Sequence, residues 1–150
     1  MRMMEIIEVI ENKKAYLDLL LLADEQEDMI DRYLDKGKMY VLVDNGVKCE
    51  CIVTDEGLGV LEIKNIATVP EYQGKGYAKA LIDFVVKKYG EQYSVLQVGT
   101  GDSPLTIPFY EKCGFVRSHI IPNFFTNNYN HPIYESGVQL VDMVYLQRQL

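Results

Sequence analysis

The order of hydrophobic and polar positions changes period along this chain. The first segment, MEIIEVIE, alternates as a half-buried strand does, and helical spacing follows over about 12–23 and 25–36, closed by Gly37. MYVLVD (39–44) and VKCECIVTD (47–55) read as strands joined by Asn45-Gly46, a pair that suits a two-residue hairpin because both positions must adopt positive φ. GVLEIKNIATV (59–69) is a further strand, set off by Glu56-Gly57-Leu58. To this point the pattern predicts an antiparallel meander.

Then the period lengthens. From Lys75 to Tyr89 the polar residues Lys79, Asp83 and Lys87 recur every four positions, one wet stripe on a helix whose other sides are apolar. Such a helix should lie flat on a sheet. YSVLQVG (93–99) is the next strand, so strand, helix and strand predict a parallel pair with a right-handed crossover. A short helix within 103–113 ends at Gly114, with Pro108 distorting its first turns. FVRSHII (115–121) and VQLVDMVYLQ (138–147) predict two closing strands, and Asp142 in the second is a structural position or a buried acid. The stretch between them, PNFFTNNYNHPIYESG, is long for a loop and rich in Phe and Tyr, which points to a ligand-facing surface. With no repeat or linker-like tract, residues 1–150 are expected to form one α/β domain with a mixed sheet.

Composition narrows the classes. No apolar run reaches the roughly 18–20 residues that span a bilayer, and the first residues carry charges where a signal peptide needs an unbroken apolar stretch. The expected setting is the cytoplasm, without a membrane partner. Three cysteines argue against a disulfide framework; Cys49 and Cys51 read as small apolar residues on one strand face. A metal site would need His119 and His131, both far from them in sequence, and none is expected. The net charge of −7 is unevenly spread: residues 1–63 carry −8, residues 64–90 carry +3 and residues 91–150 carry −2. A nucleic-acid partner is therefore not expected, whereas one small anion at the basic segment is compatible.

That basic segment contains VPEYQGKGYA (69–78), with two glycines where a helix begins. The first turn of a helix offers unpaired N–H donors, and glycine lets an anion approach them. A P-loop needs GxxxxGK[ST], and a dinucleotide fingerprint needs GxGxxG; neither string occurs. The stretch Gln73-Gly74-Lys75-Gly76-Tyr77-Ala78 instead resembles motif A of the GNAT superfamily, the acyl-CoA-dependent N-acyltransferases, written Q/R-x-x-G-x-G/A. FYEKCGF (109–115) resembles motif B of the same family, and the order of elements over nearly the whole chain is similar.

The resemblance implies a GNAT-like fold, with antiparallel N-terminal strands, a central parallel pair splayed around CoA, and helices on both faces. It implies transfer of an acetyl group from acetyl-CoA to a primary amine, with no metal. Gln73, Gly74, Lys75, Gly76, Tyr77 and Ala78 would then cradle the CoA pyrophosphate. Ile66, with Ala67, Thr68 and Val69, would supply strand N–H groups to the pantetheine arm and to developing oxyanion charge. Glu62, eleven residues before Gln73, stands where some members place a catalytic glutamate, and Glu62, Lys64, Ile66 and Thr68 would alternate onto one face. Tyr110 resembles the tyrosine that protonates the leaving thiolate, and a covalent route through Cys113 is not expected. Ser103 occupies the place of a frequent cofactor-contacting Asn, as a cofactor contact or a helix cap. The N-terminal helices and the 122–137 loop are the expected acceptor walls. The acidic remainder of the chain favours a small cationic amine; a peptide or lysine amine, a CoA-binding sensor without turnover, and a nucleotide-binding protein are the alternatives. The oligomeric state, a homodimer included, is left open.

Overall fold

The computed structural model describes residues 4–150. Strand β1 (Glu5–Val9) leads through a 3-10 turn at Lys13–Tyr16 into α1 (Leu17–Ala23) and α2 (Glu27–Asp31). Three strands come next: β2 (Lys38–Val43), β3 (Val47–Gly57) and β4 (Val60–Thr68). Then come α3 (Tyr77–Tyr89), β5 (Val95–Gly101), α4 (Thr106–Lys112) and β6 (Val116–Ile121). The chain closes with α5 (Phe124–Asn128), β7 (Tyr134–Glu135), β8 (Val138–Gln139) and β9 (Met143–Gln149). Seven strands form one sheet in the order β1-β2-β3-β4-β5-β9-β6, while β7 and β8 make a separate small hairpin. β4 and β5 are its parallel pair, joined through α3, as the change of period predicts. Among the described residues, no helix is long and apolar enough to cross a membrane.

Both faces of the sheet are covered. Leu81, Ile82, Val85 and Tyr89 of α3 pack on Tyr40, Cys51, Val53, Leu61, Ile63 and Leu96, and the wet stripe faces out, Lys79 pairing with Asp83 at 2.9 Å. On the other face, Leu20 of α1 and Ile30, Tyr33 and Leu34 from α2 and the turns after it pack on Met39, Val41 and Ile52. Cys49 and Cys51 lie in the α3-side core as free thiols, in keeping with their reading as small apolar residues.

Several boundaries differ from expectation, each for a local reason. The helix expected to run from 25 to 36 is α-helical only over Glu27–Asp31, because Lys13 reaches across to donate to the carbonyls of Leu34 (2.8 Å) and Gly37 (2.7 Å) and holds the remainder as turns. Gly37 then passes so close to β3 that a Cβ there would meet Ile52 Cγ2 at 2.6 Å. Asn45 and Gly46 do take positive φ (57° and 100°), but Asp44 joins the turn, where it accepts a hydrogen bond from the Tyr77 hydroxyl at 2.7 Å. The strand expected at 138–147 is broken at 140–142. Leu140 leaves the ladder to pack with Phe125 and Ile133, and Asp142 Oδ1 accepts the Asn123 N–H at 2.8 Å. Asp142 is therefore a structural acceptor. The 122–137 stretch is likewise no bare loop but a helix and a hairpin around their own apolar cluster.

The departure with the largest consequence lies in β4. Ile52 faces Asn65 while Val53 faces Ile63, so Lys64 is an extra residue, a β-bulge. The expected alternation of Glu62, Lys64, Ile66 and Thr68 on one face is thereby broken. Glu62, opposite Thr54, shares its face with Asn65 and Ala67, whereas Ile66 and Thr68 lie opposite Cys51 and Cys49 on the α3 face. At the same level the parallel ladder stops: β4 pairs β5 from Val60–Val95 to Ile63–Val98, yet β4 continues to Thr68 and β5 to Gly101.

Beneath this parting, Glu50 on β3 is wholly buried opposite Ala67, and neither carboxyl oxygen makes a well-formed hydrogen bond. Burial pushes its pKa well above the ordinary 4.5, the nearby Ala67 N–H opposing this weakly. The native state thus binds more protons than the unfolded chain once the pH exceeds about 4.5, and stability falls as pH rises through that window. Glu50→Met is expected to stabilise the fold by about 1–3 kcal/mol at neutral pH and to flatten that decline, as read by urea denaturation across pH.

Candidate functional site

The parting of β4 from β5 opens into a cleft of about 780 Å³. One wall is the turn before α3. There Gly74 and Gly76 hold φ of 78° and 86°, and a Cβ on either would meet nothing within 4 Å, so the main chain is bared. The first backbone bond of α3 runs from the Ala80 N–H to the Gly76 carbonyl, which leaves the N–H groups of residues 78 and 79 ahead of it. Tyr77 contributes main chain here, since its hydroxyl is bonded to Asp44 in the interior.

The open edge of β4 forms the floor. The Val69 N–H donates to the Lys48 carbonyl at 2.9 Å, so residues 69 and 67 turn their peptide groups toward β3. By the alternation of an antiparallel ladder, Ile66 and Thr68 turn theirs toward the parted side. Of the four residues expected to offer N–H groups, the geometry thus favours Ile66 and Thr68; Val69 is already bonded and Ala67 points its N–H away.

Tyr110 stands in the cleft wall at 6% exposure, its ring packed edge-on against Phe109 and Phe115. Burial, with smaller contributions from neighbouring thiols and carboxylates, raises its pKa, so the phenol stays neutral and keeps its proton. Pro108 sits in the first turn of α4, where a missing N–H leaves no bond unmade.

Other expected residues lie elsewhere. Glu62 is 4% exposed and does not line the cleft. Its carboxylate is held by Lys64 Nζ at 2.9 Å, Gln97 Nε2 at 2.6 Å and the Tyr145 hydroxyl at 3.1 Å. Ser103 is buried behind the wall, where Oγ accepts the Leu105 N–H at 3.1 Å, the capping contact among its two expected roles. Lys75 is exposed beside the glycines and outside the wall. Gln73 lies in the wall, close to the Thr68 carbonyl.

The structure adds residues that the sequence pattern did not single out. Asp24, at the end of α1, accepts the Tyr129 hydroxyl on Oδ1 (2.6 Å) and the Tyr33 hydroxyl on Oδ2 (2.9 Å). Tyr33 in turn accepts from Asn65 Nδ2 at 3.0 Å, which ties Asp24 to β4. Asn130 N–H to Gln26 Oε1 (3.1 Å) and Arg32 to Asn128 Oδ1 (3.2 Å) stitch the same two walls. The available signal was weak: an acid closing the run LDLLLLAD, and tyrosines in a chain that has many. A second, shallower concavity of about 620 Å³ at Lys79, Lys112 and Arg148 contains neither the glycines nor the parted strands, and its Arg148 is spent on the Cys113 carbonyl at 2.7 Å. We place the chemistry in the larger cleft for that reason. Among the described residues, no group of three or more His, Cys, Asp or Glu side chains is placed to hold a metal ion.

Comparison with known proteins bears on this cleft. Residues 35–117 match the family described as acetyltransferase (GNAT) domain. The chain is 34% identical over 142 residues to the N-acetyltransferase YvbK of Bacillus subtilis (strain 168), a match covering 93% of this chain and 91% of that protein. It superposes with a TM-score of 0.92 on a GNAT family acetyltransferase from Elizabethkingia anophelis with acetyl-CoA bound, at 33% identity and 98% coverage of each chain. A Bacillus subtilis acetyltransferase in complex with CoA is similar at 32% identity and a TM-score of 0.89, with 99% of each chain covered. The bared glycine turn and the parted strands fit CoA.

Gly76→Val puts a β-branched side chain at positive φ in the bared turn. It is expected to weaken CoA binding by about tenfold or more in calorimetry, with a loss of stability of about 1–2 kcal/mol.

Proposed function

Because the chain belongs to the GNAT acetyltransferase family, we propose that it moves the acetyl group of acetyl-CoA directly onto a primary amine of a small cationic molecule. The observation that carries the acceptor is the sign of the charge where α1 and the 124–135 segment wall the cleft. Asp24, Glu25 and Glu135 stand there; of the cations near the cleft, Lys64 is paired with Glu62, Lys79 with Asp83, and Arg32 is bonded to Asn128, so the acids outnumber what answers them. An ammonium group is drawn to such a wall and an anionic acceptor is repelled. The bonds between Asp24 and Tyr129, Gln26 and Asn130, and Arg32 and Asn128 join the two walls, which favours a small molecule over the side chain of a folded protein.

Bound acetyl-CoA supplies the activated acyl group as a thioester. The protein's part is positioning and proton management. The N–H groups of the Gly74–Ala78 turn are suited to a pyrophosphate, with Gln73 beside them, and local dipoles suffice in a chain of net charge −7. The open peptide groups of Ile66 and Thr68 are suited to an extended amide arm laid along β4 and to the acyl carbonyl. Tyr110 holds the proton that a departing thiolate needs, and its raised pKa keeps that proton in place until a strong base forms beside it.

The test is release of free thiol from acetyl-CoA with a panel of amines: putrescine, agmatine, a neutral aliphatic amine and an amino acid with a free carboxylate. Cationic amines are expected to be preferred, and a best acceptor that is neutral or anionic would overturn the acceptor class. Tyr110→Phe is expected to lower kcat by about 100-fold while CoA affinity stays within about twofold. Equal kcat in the variant would remove its assigned role.

A further inference from the structure

Two carboxylates near the cleft stand in opposite circumstances. Glu62, at the position that the motif spacing marks for a base, is neutralised by Lys64, takes two further hydrogen bonds and lies outside the cleft wall. Asp24 lies in the wall and makes no ion pair among the described residues. Its two oxygens are held by hydroxyls from different elements, Tyr129 beyond α5 and Tyr33 after α2, and with the Gln26 N–H as a third donor one lone pair stays open. Through Tyr33 it is two hydrogen bonds from Asn65, which lies on β4 next to the bulge where the strands part.

We propose that Asp24, and not Glu62, accepts the proton of the amine substrate. The inference rests on the acetyl-transfer reading and adds the base to it. In the step, one N–H bond of the bound ammonium breaks, its proton passes to a free lone pair of Asp24, and the nitrogen keeps the electron pair with which it attacks. Asp24 returns the proton to water once the product has left. Burial raises the pKa of Asp24, which strengthens it as a base, while the hydroxyls of Tyr129 and Tyr33, the Gln26 N–H and the charge of Arg32 act in the other direction. Glu25, next in the chain, adds a charge of the same sign.

A purely structural role, clasping α1 to the segment after α5, predicts different results. With putrescine as acceptor, Asp24→Asn is expected to cut kcat by about 100-fold, to leave CoA affinity within about twofold, and to abolish the acid limb of the kcat/KM profile. Glu62→Gln is expected to retain that limb. Tyr129→Phe removes one donor to the charged form and so moves the limb to higher pH. Carbon NMR of aspartate-labelled protein without co-substrate reads the group independently of turnover: putrescine is expected to shift the Asp24 carboxyl resonance, and Tyr129→Phe to raise its titration midpoint. The assignment is overturned if Asp24→Asn keeps both kcat and the acid limb, if Glu62→Gln loses the limb, or if putrescine leaves the Asp24 resonance unmoved. Failure of wild-type protein to acetylate any amine of the panel would instead overturn the acceptor reading, with the NMR result still deciding on Asp24.

Discussion

The site depends on one interruption: the parallel ladder between β4 and β5 ends at Ile63–Val98 while both strands continue. Unpaired strand edges inside a protein are costly unless something satisfies them, because each buried N–H or C=O left alone loses its exchange with water. Here the edge opens into a cleft, and the bulge at Lys64 turns the strand where the parting starts. An extended arm bearing amides satisfies such an edge as another strand would. The same break lets the glycine turn of α3 and Tyr110 of α4 face one cavity.

The rest of the fold keeps that interruption open. β9 pairs β5 along its whole length, from Val95–Gln149 to Gly101–Met143, so β5 is supported on its far side when it leaves β4. β3 supports β4 in the same way as far as Thr68. Gly99 and Gly101 run where a Cβ would strike Met143 Sδ or Leu140 at 2.6 Å, so β5 packs closely against the start of β9 and the break before it. Pairing on both outer edges fixes each strand on its far side where the two part.

Much of this was legible in the chain. Period-two alternation, Asn45-Gly46 and the four-residue polar stripe located most elements, because each is set by local backbone preference or by one buried face. The glycine turn and FYEKCGF named the cofactor end for the same reason: a short motif carries its own backbone geometry. The acceptor end was not legible in this way. Whether Lys64 forms a bulge depends on its partner strand, and that one residue decides which face Glu62 shares. The pairing of Asp24 with Tyr129 spans 105 positions, a distance over which no periodicity can speak. The break of the last strand at Leu140 likewise answers to Phe125 and Ile133, not to its own alternating pattern.

Glu50, Glu62 and Asp24 show why a carboxylate cannot be assigned a role from its place in a motif. Glu50 has neither a cation nor a well-formed hydrogen bond, and burial drives it toward the neutral acid. Glu62 has a cation and two donors, which hold the charge but also occupy it. Asp24 has donors and no ion pair among the described residues, with Arg32 acting on it only from a distance, so its charge is oriented and not locked to a cation. A neutral acid at rest has no proton vacancy, and an ion-paired carboxylate must give up its lysine before it meets another cation. The third environment alone combines a vacant lone pair, a fixed direction and a charge without an ion-pair partner, which is what an incoming ammonium requires of the group that receives its proton.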